Sequence, residues 1–283
     1  MANPLTSFAR MFSGDKTVPS PLLNRMGIQV MRTMIARGMY KFRSLPVDSD
    51  LQSAARELLS DGLVVLPEFL PDAEFAAVQS ESRQLSADAE LKHKTLHHGP
   101  NQLELTTFDT SRDFAKYPAI GRFYQDRRLV QLMQCAEKRK LDYTIGNHAY
   151  EHLVQGPLGE EKDPETDMHS DIFFHTHKAW LYLEDVAEEH GPLVAVKRSH
   201  LLTPKSLAYL YQESTSNNKG SRRITPEELT ALGLTETVLT VPKNTLVIAN
   251  VHGYHCRRRG QPGKERFALH WSLRANPFRL TSR

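Results

Sequence analysis

The sequence predicts a mainly β fold, a barrel or sandwich, with helices flanking it. Three observations carry that reading. Between residues 143 and 273 the chain offers a succession of short segments rich in β-branched and aromatic residues, separated by turns. One of them, Lys178 to Glu184, alternates with a period of two: Ala179, Leu181 and Leu183 on one face, Trp180, Tyr182 and Glu184 on the other. Helical periodicity falls mostly in the first half of the chain.

Composition bounds the rest. With 283 residues, 40% hydrophobic and 24% charged, the chain can bury a sizeable core as one large domain or two small ones. It has no apolar run long enough to span a bilayer. Its two cysteines, Cys135 and Cys256, are too few for a disulfide framework or a cysteine-rich zinc site. They fit a reducing, cytoplasmic setting. The net charge of +3 is unevenly placed. Residues 1–43 hold seven basic side chains against the single acid Asp15, so this arm is +6 and the remainder −3. A slightly acidic body argues against nucleic-acid binding.

In chain order, residues 1–19 read as loose. Ser20-Pro21 then gives an N-cap followed by proline at the first helical position, opening a helix from Leu22 to Phe42. Leu23, Met26, Val30 and Met34 recur at helical spacing, with Arg25, Arg32 and Arg43 opposite. The favoured reading packs the apolar side on the body and leaves the arginines in water. A peripheral membrane or anionic-partner contact through residues 20–43, and a transit peptide, are the other readings. The expected division is a basic N-terminal arm, 1–45, and a main domain, 46–283.

A short helix over 51–60 should close at Asp61-Gly62, a strand should cover 63–66, and a second helix 72–86. Residues 87–115, with His93, His97 and His98, read as an irregular solvated loop. A helix is expected over 120–138 and a strand over 143–154, whose His148 and His152 share a face and are candidates for lining a pocket. Acids crowd the stretch from Glu160 to Asp167. Strands at 178–184 and 193–196 should pair as a hairpin across the turn at 188–192. Residues 203–234 interrupt the sheet, with a capped helix opening at Thr225-Pro226. Strands at 236–241, 245–250 and 266–273 complete the pattern.

The chemistry centres on Met168-His169-Ser170-Asp171. On extended backbone, His169 and Asp171 project to the same side. With His255 from Gly253-Tyr254-His255, they make two histidines and one carboxylate, the donor set of non-haem Fe(II) oxygenases. His252 competes as the third ligand. A second metal motif, His175-Thr176-His177 with Glu184, has cupin-like residue types at a looser spacing. A zinc hydrolase lacks its usual His-Glu-x-x-His.

The span from His169 to Phe278 resembles the phytanoyl-CoA dioxygenase family of Fe(II)/2-oxoglutarate oxygenases. The resemblance rests on His169-Ser170-Asp171, Lys178-Ala179-Trp180-Leu181-Tyr182-Leu183-Glu184-Asp185-Val186, His190-Gly191-Pro192-Leu193, Ser199-His200, and Tyr254-His255 followed by Arg266. Asp61-Gly62-Leu63-Val64-Val65-Leu66 extends it to roughly residues 50–278.

The resemblance implies a double-stranded β-helix, a jelly-roll or cupin-like core. It implies iron on His169, Asp171 and His255, and 2-oxoglutarate with its distal carboxylate on Arg266, eleven residues beyond His255. On that spacing His252 fits less well. Lys178 and Trp180 are weaker candidates for lining the co-substrate pocket. With O2, such an enzyme would hydroxylate an unactivated C–H of a small-molecule or lipid- or acyl-type substrate and release succinate and CO2. Arg257 stands where the family often has serine, and Lys197-Arg198-Ser199-His200 where it often has Gly-Ser-His. The alternative is a non-catalytic scaffold on the same fold, working through its basic arm.

Overall fold

The computed structural model describes residues 14–18, 20–41, 44–157, 159, 161–216, 221–274 and 276–278. Residues 1–13, with Phe42, Arg43 and Glu160, to which sequence reasoning assigned places, lie outside the described residues.

Twelve strands are described: β1 (Leu63–Leu66), β2 (Lys92–His98), β3 (Asn101–Thr107), β4 (Asn147–Val154), β5 (His169–Ser170), β6 (His177–Tyr182), β7 (Leu193–Val196), β8 (Arg222–Arg223), β9 (Glu236–Val238), β10 (Thr245–Asn250), β11 (His255–Arg257) and β12 (Glu265–Ser272). A seven-stranded sheet runs β1-β10-β6-β12-β4-β3-β2, and a five-stranded sheet runs β8-β5-β11-β7-β9. Every strand pair is antiparallel. The two sheets share one apolar layer, in which Trp180, Tyr182, Val247 and Ala268 of the large sheet pack with Leu193 and Ala195 of the small one.

The helices are α1 (Pro21–Arg25), α2 (Ile28–Lys41), α3 (Gln52–Asp61), α4 (Asp72–Leu85), α5 (Asp113–Lys116), α6 (Pro118–Tyr124), α7 (Arg127–Glu137), α8 (Pro204–Thr215) and α9 (Pro226–Leu232). Leu58 of α3, Val78 of α4, Ile120 of α6 and Leu132 of α7 cluster with Ala179, Leu181, Leu269 and Trp271 of the large sheet. The alternation of β6 therefore separates two cores. Its even positions face the small sheet and its odd positions the helices, as a strand buried on both faces requires. The result is the expected mainly β jelly-roll, with α3 to α7 packed on the large sheet and α8 and α9 on the small one.

Three local expectations are corrected. Strands β6 and β7 do not form a hairpin, because they belong to different sheets. Ten residues separate Tyr182 from Leu193, a connection long enough to cross between sheets. Residues 87–115 are not irregular: β2 and β3 pair across Gly99-Pro100, with Gly99 in the left-handed region (φ +57°). That hairpin is polar on both faces, so no hydrophobic alternation marked it. The helix expected over 120–138 is two, because Asp126 caps a new one through its carboxylate and the Arg128 N–H.

The arm departs most. Its helix breaks at Met26-Gly27 (φ +81°), and its faces are reversed in part: Arg25 is exposed as expected, but Arg32 turns inward and Met26 and Met34 outward. Asn24, Gln29, Arg32 and Thr33 are buried, while Leu22, Met26, Met31, Met34 and Ile35 are exposed. The arm's own chain offers this helix polar partners, and the body an aromatic one. The Arg32 guanidinium lies 3.6 Å above the Phe173 ring and donates to the Asp15 carbonyl at 2.5 Å. Asn24 donates to the Val18 carbonyl at 2.9 Å, and Gln29 Oε1 accepts from the Val18 N–H at 3.1 Å. Periodicity locates two faces of a helix; the partners decide which turns inward.

Candidate functional site

The two short strands β5 and β11 place the histidines. His255 and His169 are direct partners across this antiparallel pair, so their side chains leave the same face. Their ring centroids are 4.6 Å apart. Asp171, two residues on, is anchored by its N–H to the Val251 carbonyl at 3.0 Å. Its Oδ1 lies 3.6 Å from His169 Nε2 and 3.7 Å from His255 Nε2. One donor atom from each of the three lies within 4.8 Å of the others, and no other such group of histidine, cysteine or acid occurs among the described residues.

The tautomers suit a cation. His169 Nδ1 is 2.7 Å from the Asp167 carbonyl and His255 Nδ1 is 3.1 Å from the Gly253 carbonyl. A carbonyl only accepts, so each Nδ1 carries the proton and each Nε2 presents its lone pair. Burial, opposed by Asp171, pulls His255 down to about 4, which keeps it neutral near pH 7. Burial disfavours the Asp171 carboxylate, but Lys178, then His169 and His255, outweigh it and hold the carboxyl well below its usual range. Lys178 Nζ is 2.7 Å from Asp171 Oδ2, leaving Oδ1 to the histidines. A neutral, neutral and anionic donor set converging on one point fits a divalent iron.

A cavity of about 150 Å³ is lined by His169, His255, Lys178, Trp180 and Arg266. Sequence reasoning singled out these five, and the fold brings them to one space. Arg266, on β12, donates to the Gly191 carbonyl and sits 6.0 Å from the Tyr182 ring centroid. Burial lowers its pKa, and it forms no ion pair among the described residues. A partly buried guanidinium without a carboxylate partner is suited to an incoming anion.

Other candidates fall elsewhere. His252 Nδ1 is committed to the Ile172 carbonyl at 2.8 Å and stands outside the donor group. The cupin-like set is scattered: His177 Nδ1 meets Glu137 at 2.8 Å, His175 contacts Arg37 and Asn250, and Glu184 meets Gln79. His148 and His152 are on the opposite face of β4 from the cavity; His148 stacks on Trp271, and His152 lies between Glu104 and Glu265. His93 bonds Thr106 and Asp88, whereas His98 lines the cavity.

Three cavity features escaped sequence reasoning. Glu151, on β4, meets His270 Nδ1 at 3.0 Å. Burial opposes its charge, but His270 and then Arg266 and Lys178 pull its pKa down to about 2. Its place was readable from strand phase, since it lies one residue out of step with His148 and His152. Glu165 Oε2 lies 3.6 Å from His169 Nε2. Arg257, where the family often has serine, is paired with Asp163 at 2.5 Å, both buried. Asp163 also accepts from Asn101 Nδ2 at 2.7 Å and the Glu165 N–H at 2.8 Å.

The phytanoyl-CoA dioxygenase family model matches residues 58–231, more than half of the chain. The chain belongs to the phytanoyl-CoA dioxygenase family. The matched span includes His169 and Asp171 and stops short of His255 and Arg266, so β11 and β12 enter the site through the fold alone.

Solved structures agree on the fold. The non-haem alpha-ketoglutarate-dependent epimerase SnoN from nogalamycin biosynthesis superposes with a TM-score of 0.51 at 16% identity, covering 79% of this chain and 82% of that one. AviO1 from Streptomyces viridochromogenes Tue57 gives 0.51 at 14% identity, covering 81% and 97%. EctD from S. alaskensis, solved with 2-oxoglutarate and 5-hydroxyectoine, gives 0.53 at 16% identity, covering 83% and 79%. No curated protein matches in sequence. As a phytanoyl-CoA dioxygenase family member carrying the His-Asp-His set, the chain is an Fe(II)- and 2-oxoglutarate-dependent oxygenase. No described helix is long and apolar enough to cross a membrane.

Proposed function

We propose that this oxygenase hydroxylates an unactivated C–H of a small-molecule, lipid- or acyl-type substrate, releasing succinate and CO2. His169, Asp171 and His255 are the proposed iron ligands, and Arg266 the partner of the distal carboxylate of 2-oxoglutarate. The observation that carries this is the convergence of both groups on one cavity. When bound, iron would activate O2, the oxidant, with 2-oxoglutarate as the electron-donating co-substrate, and so supply the chemistry that cleaves the C–H bond.

The chain's own residues then position and exclude. The Asp167 and Gly253 carbonyls fix the imidazole tautomers. Lys178 orients Asp171 through Oδ2. Trp180, stacked 5.3 Å from His270, forms an apolar wall that limits water. The Glu151–His270 pair keeps a buried anion near Arg266 and Lys178, so these cations are partly balanced before an anion enters.

SnoN is known with nogalamycin RO bound and EctD with 5-hydroxyectoine, which supports a small-molecule substrate. The basic arm, acid-free over residues 20–43, supports an anionic partner or an anionic acyl-type substrate, with those residues as the contact. The arm and the remainder are proposed as a partner-binding element and a catalytic domain, 1–45 and 46–283.

Anaerobic titration of the protein with Fe(II) and 2-oxoglutarate tests the catalytic reading. A weak visible charge-transfer band should appear and be lost in His169→Ala. Iron binding without the band would refute the role given to Arg266. Failure of both would return the scaffold alternative.

A further inference from the structure

Six large apolar side chains stand exposed among the described residues, and five belong to α1, α2 and the turn between them. Leu22 and Met26 are each 68% exposed and Met34 52%, with Met31 and Ile35 beside them. The sixth, Tyr211 of α8, donates its hydroxyl to the Arg25 carbonyl and so borders the same strip. Neither helix carries an acidic residue, and Arg25 and Lys41 are exposed along them.

The orientation of the strip is fixed from behind. Asn24, Gln29, Arg32 and Thr33 hold the inward face, and Ala36 packs with Ile172, Phe173 and Phe174. The apolar side chains are therefore not loose ends of a fraying helix. Met31, Met34 and Ile35 share one side of α2, opposite Gln29, Arg32, Thr33 and Ala36.

We infer that α1 and α2 lie on an anionic bilayer, with Leu22, Met26, Met34 and Ile35 in the boundary between headgroups and acyl chains and Arg25 and Lys41 at the level of the phosphates. This rests on the reading that residues 20–43 meet an anionic partner, and not on the catalytic reading. A bilayer fits better than a protein for two reasons. A strip made mostly of flexible, exposed Met and Leu side chains suits a fluid surface better than the fixed anchor contacts that protein hot spots need. A bilayer accepts an outward-facing apolar strip directly, and anionic headgroups complement the exposed Arg25 and Lys41 beside it.

The test is co-sedimentation of the full chain with vesicles of phosphatidylcholine alone and with phosphatidylserine added. At least tenfold tighter binding to the anionic vesicles is expected, weakening with salt. The variant Leu22→Glu/Met26→Glu/Met34→Glu should lose it. These side chains are exposed, so its succinate production and Fe(II)/2-oxoglutarate band should equal those of the parent. Absence of binding to anionic vesicles would overturn the inference, as would undiminished binding by the triple variant. Self-association of the parent that the triple variant abolishes, without vesicle binding, would assign the strip to a second copy of the chain instead. Vesicle binding by a chain that shows no iron or co-substrate band would leave the surface standing and remove only the catalytic proposal.

Discussion

Lys178 Nζ lies 2.7 Å from Asp171 Oδ2, on the carboxylate oxygen that the two histidines do not face. The lysine divides the carboxylate between two tasks, orientation at Oδ2 and the proposed metal donation at Oδ1. Lys178→Met removes the neighbour that, against the cost of burial, keeps Asp171 ionised. The acid limit of Fe(II) binding should then move to higher pH, because protons compete for Asp171 sooner. Anaerobic binding measured from about pH 7 down to about pH 5 checks this, since each pKa unit is about 1.4 kcal/mol. An unmoved limit would make Lys178 a co-substrate contact only.

Arg266→Ala should raise the KM for 2-oxoglutarate about ten- to a hundredfold, the loss expected for a charge-assisted contact of about 1.5–3 kcal/mol. The Kd for Fe(II) should hold, since Arg266 is not among the three metal donors. Steady-state kinetics beside metal titration separate the two. Equal damage to both would show that the bond from Arg266 to the Gly191 carbonyl supports the fold.

His148 supplies a pH prediction. It is buried, its Nε2 has no hydrogen-bond partner, and burial followed by His270 pulls its pKa down to about 3. Unfolding restores a value near 6.5, so the unfolded chain takes up a proton that the folded one refuses. Stability held by neutral His148 is complete above pH 6.5 and is lost as the pH falls towards 3, with a slope of at most about 1.4 kcal/mol per pH unit. His148→Phe should keep the ring packing against Tyr124 and Trp271 and flatten the fall. Urea midpoints at about pH 7 and about pH 5 give the comparison; parallel curves for the two proteins would refute it.

Arg32→Ala should cost about 2 kcal/mol, combining the lost cation–π contact with the cavity left behind. Thermal unfolding would report a Tm lower by several degrees. Because Phe173 lies two residues beyond Asp171, weaker Fe(II) binding should accompany the loss. A melting curve unchanged from the parent would mean that the arm contributes nothing to the body.

Much of the site was legible because its signals are local or ordered along the chain. His169 and Asp171 share a strand face by spacing, and the period of β6 turned Lys178 and Trp180 the same way. His255 and Arg266 required the family pattern, since nothing local ties them to His169. The unread parts share a cause. The polar hairpin of β2 and β3 has no apolar alternation to betray it. The crossing from β6 to β7 depends on which sheet each strand joins, a long-range fact. The face of α2 reversed because its periodic apolar side is a statement about segregation, and Phe173, far away in sequence, decided the direction.

The grip of α2 on the segment after Asp171 bears on how this chain can be dissected. Arg32 covers Phe173, Ala36 packs with Ile172 and Phe174, and Arg37 and Tyr40 both contact His175. A protein shortened to begin at residue 44 would uncover three aromatic or aliphatic side chains and release the segment that carries the proposed metal-binding carboxylate. Any loss of lipid binding in such a truncation would therefore be confounded with damage to the iron site. Point substitutions on the outward face are the cleaner instrument, because this amino-terminal region serves as a buttress as well as an arm.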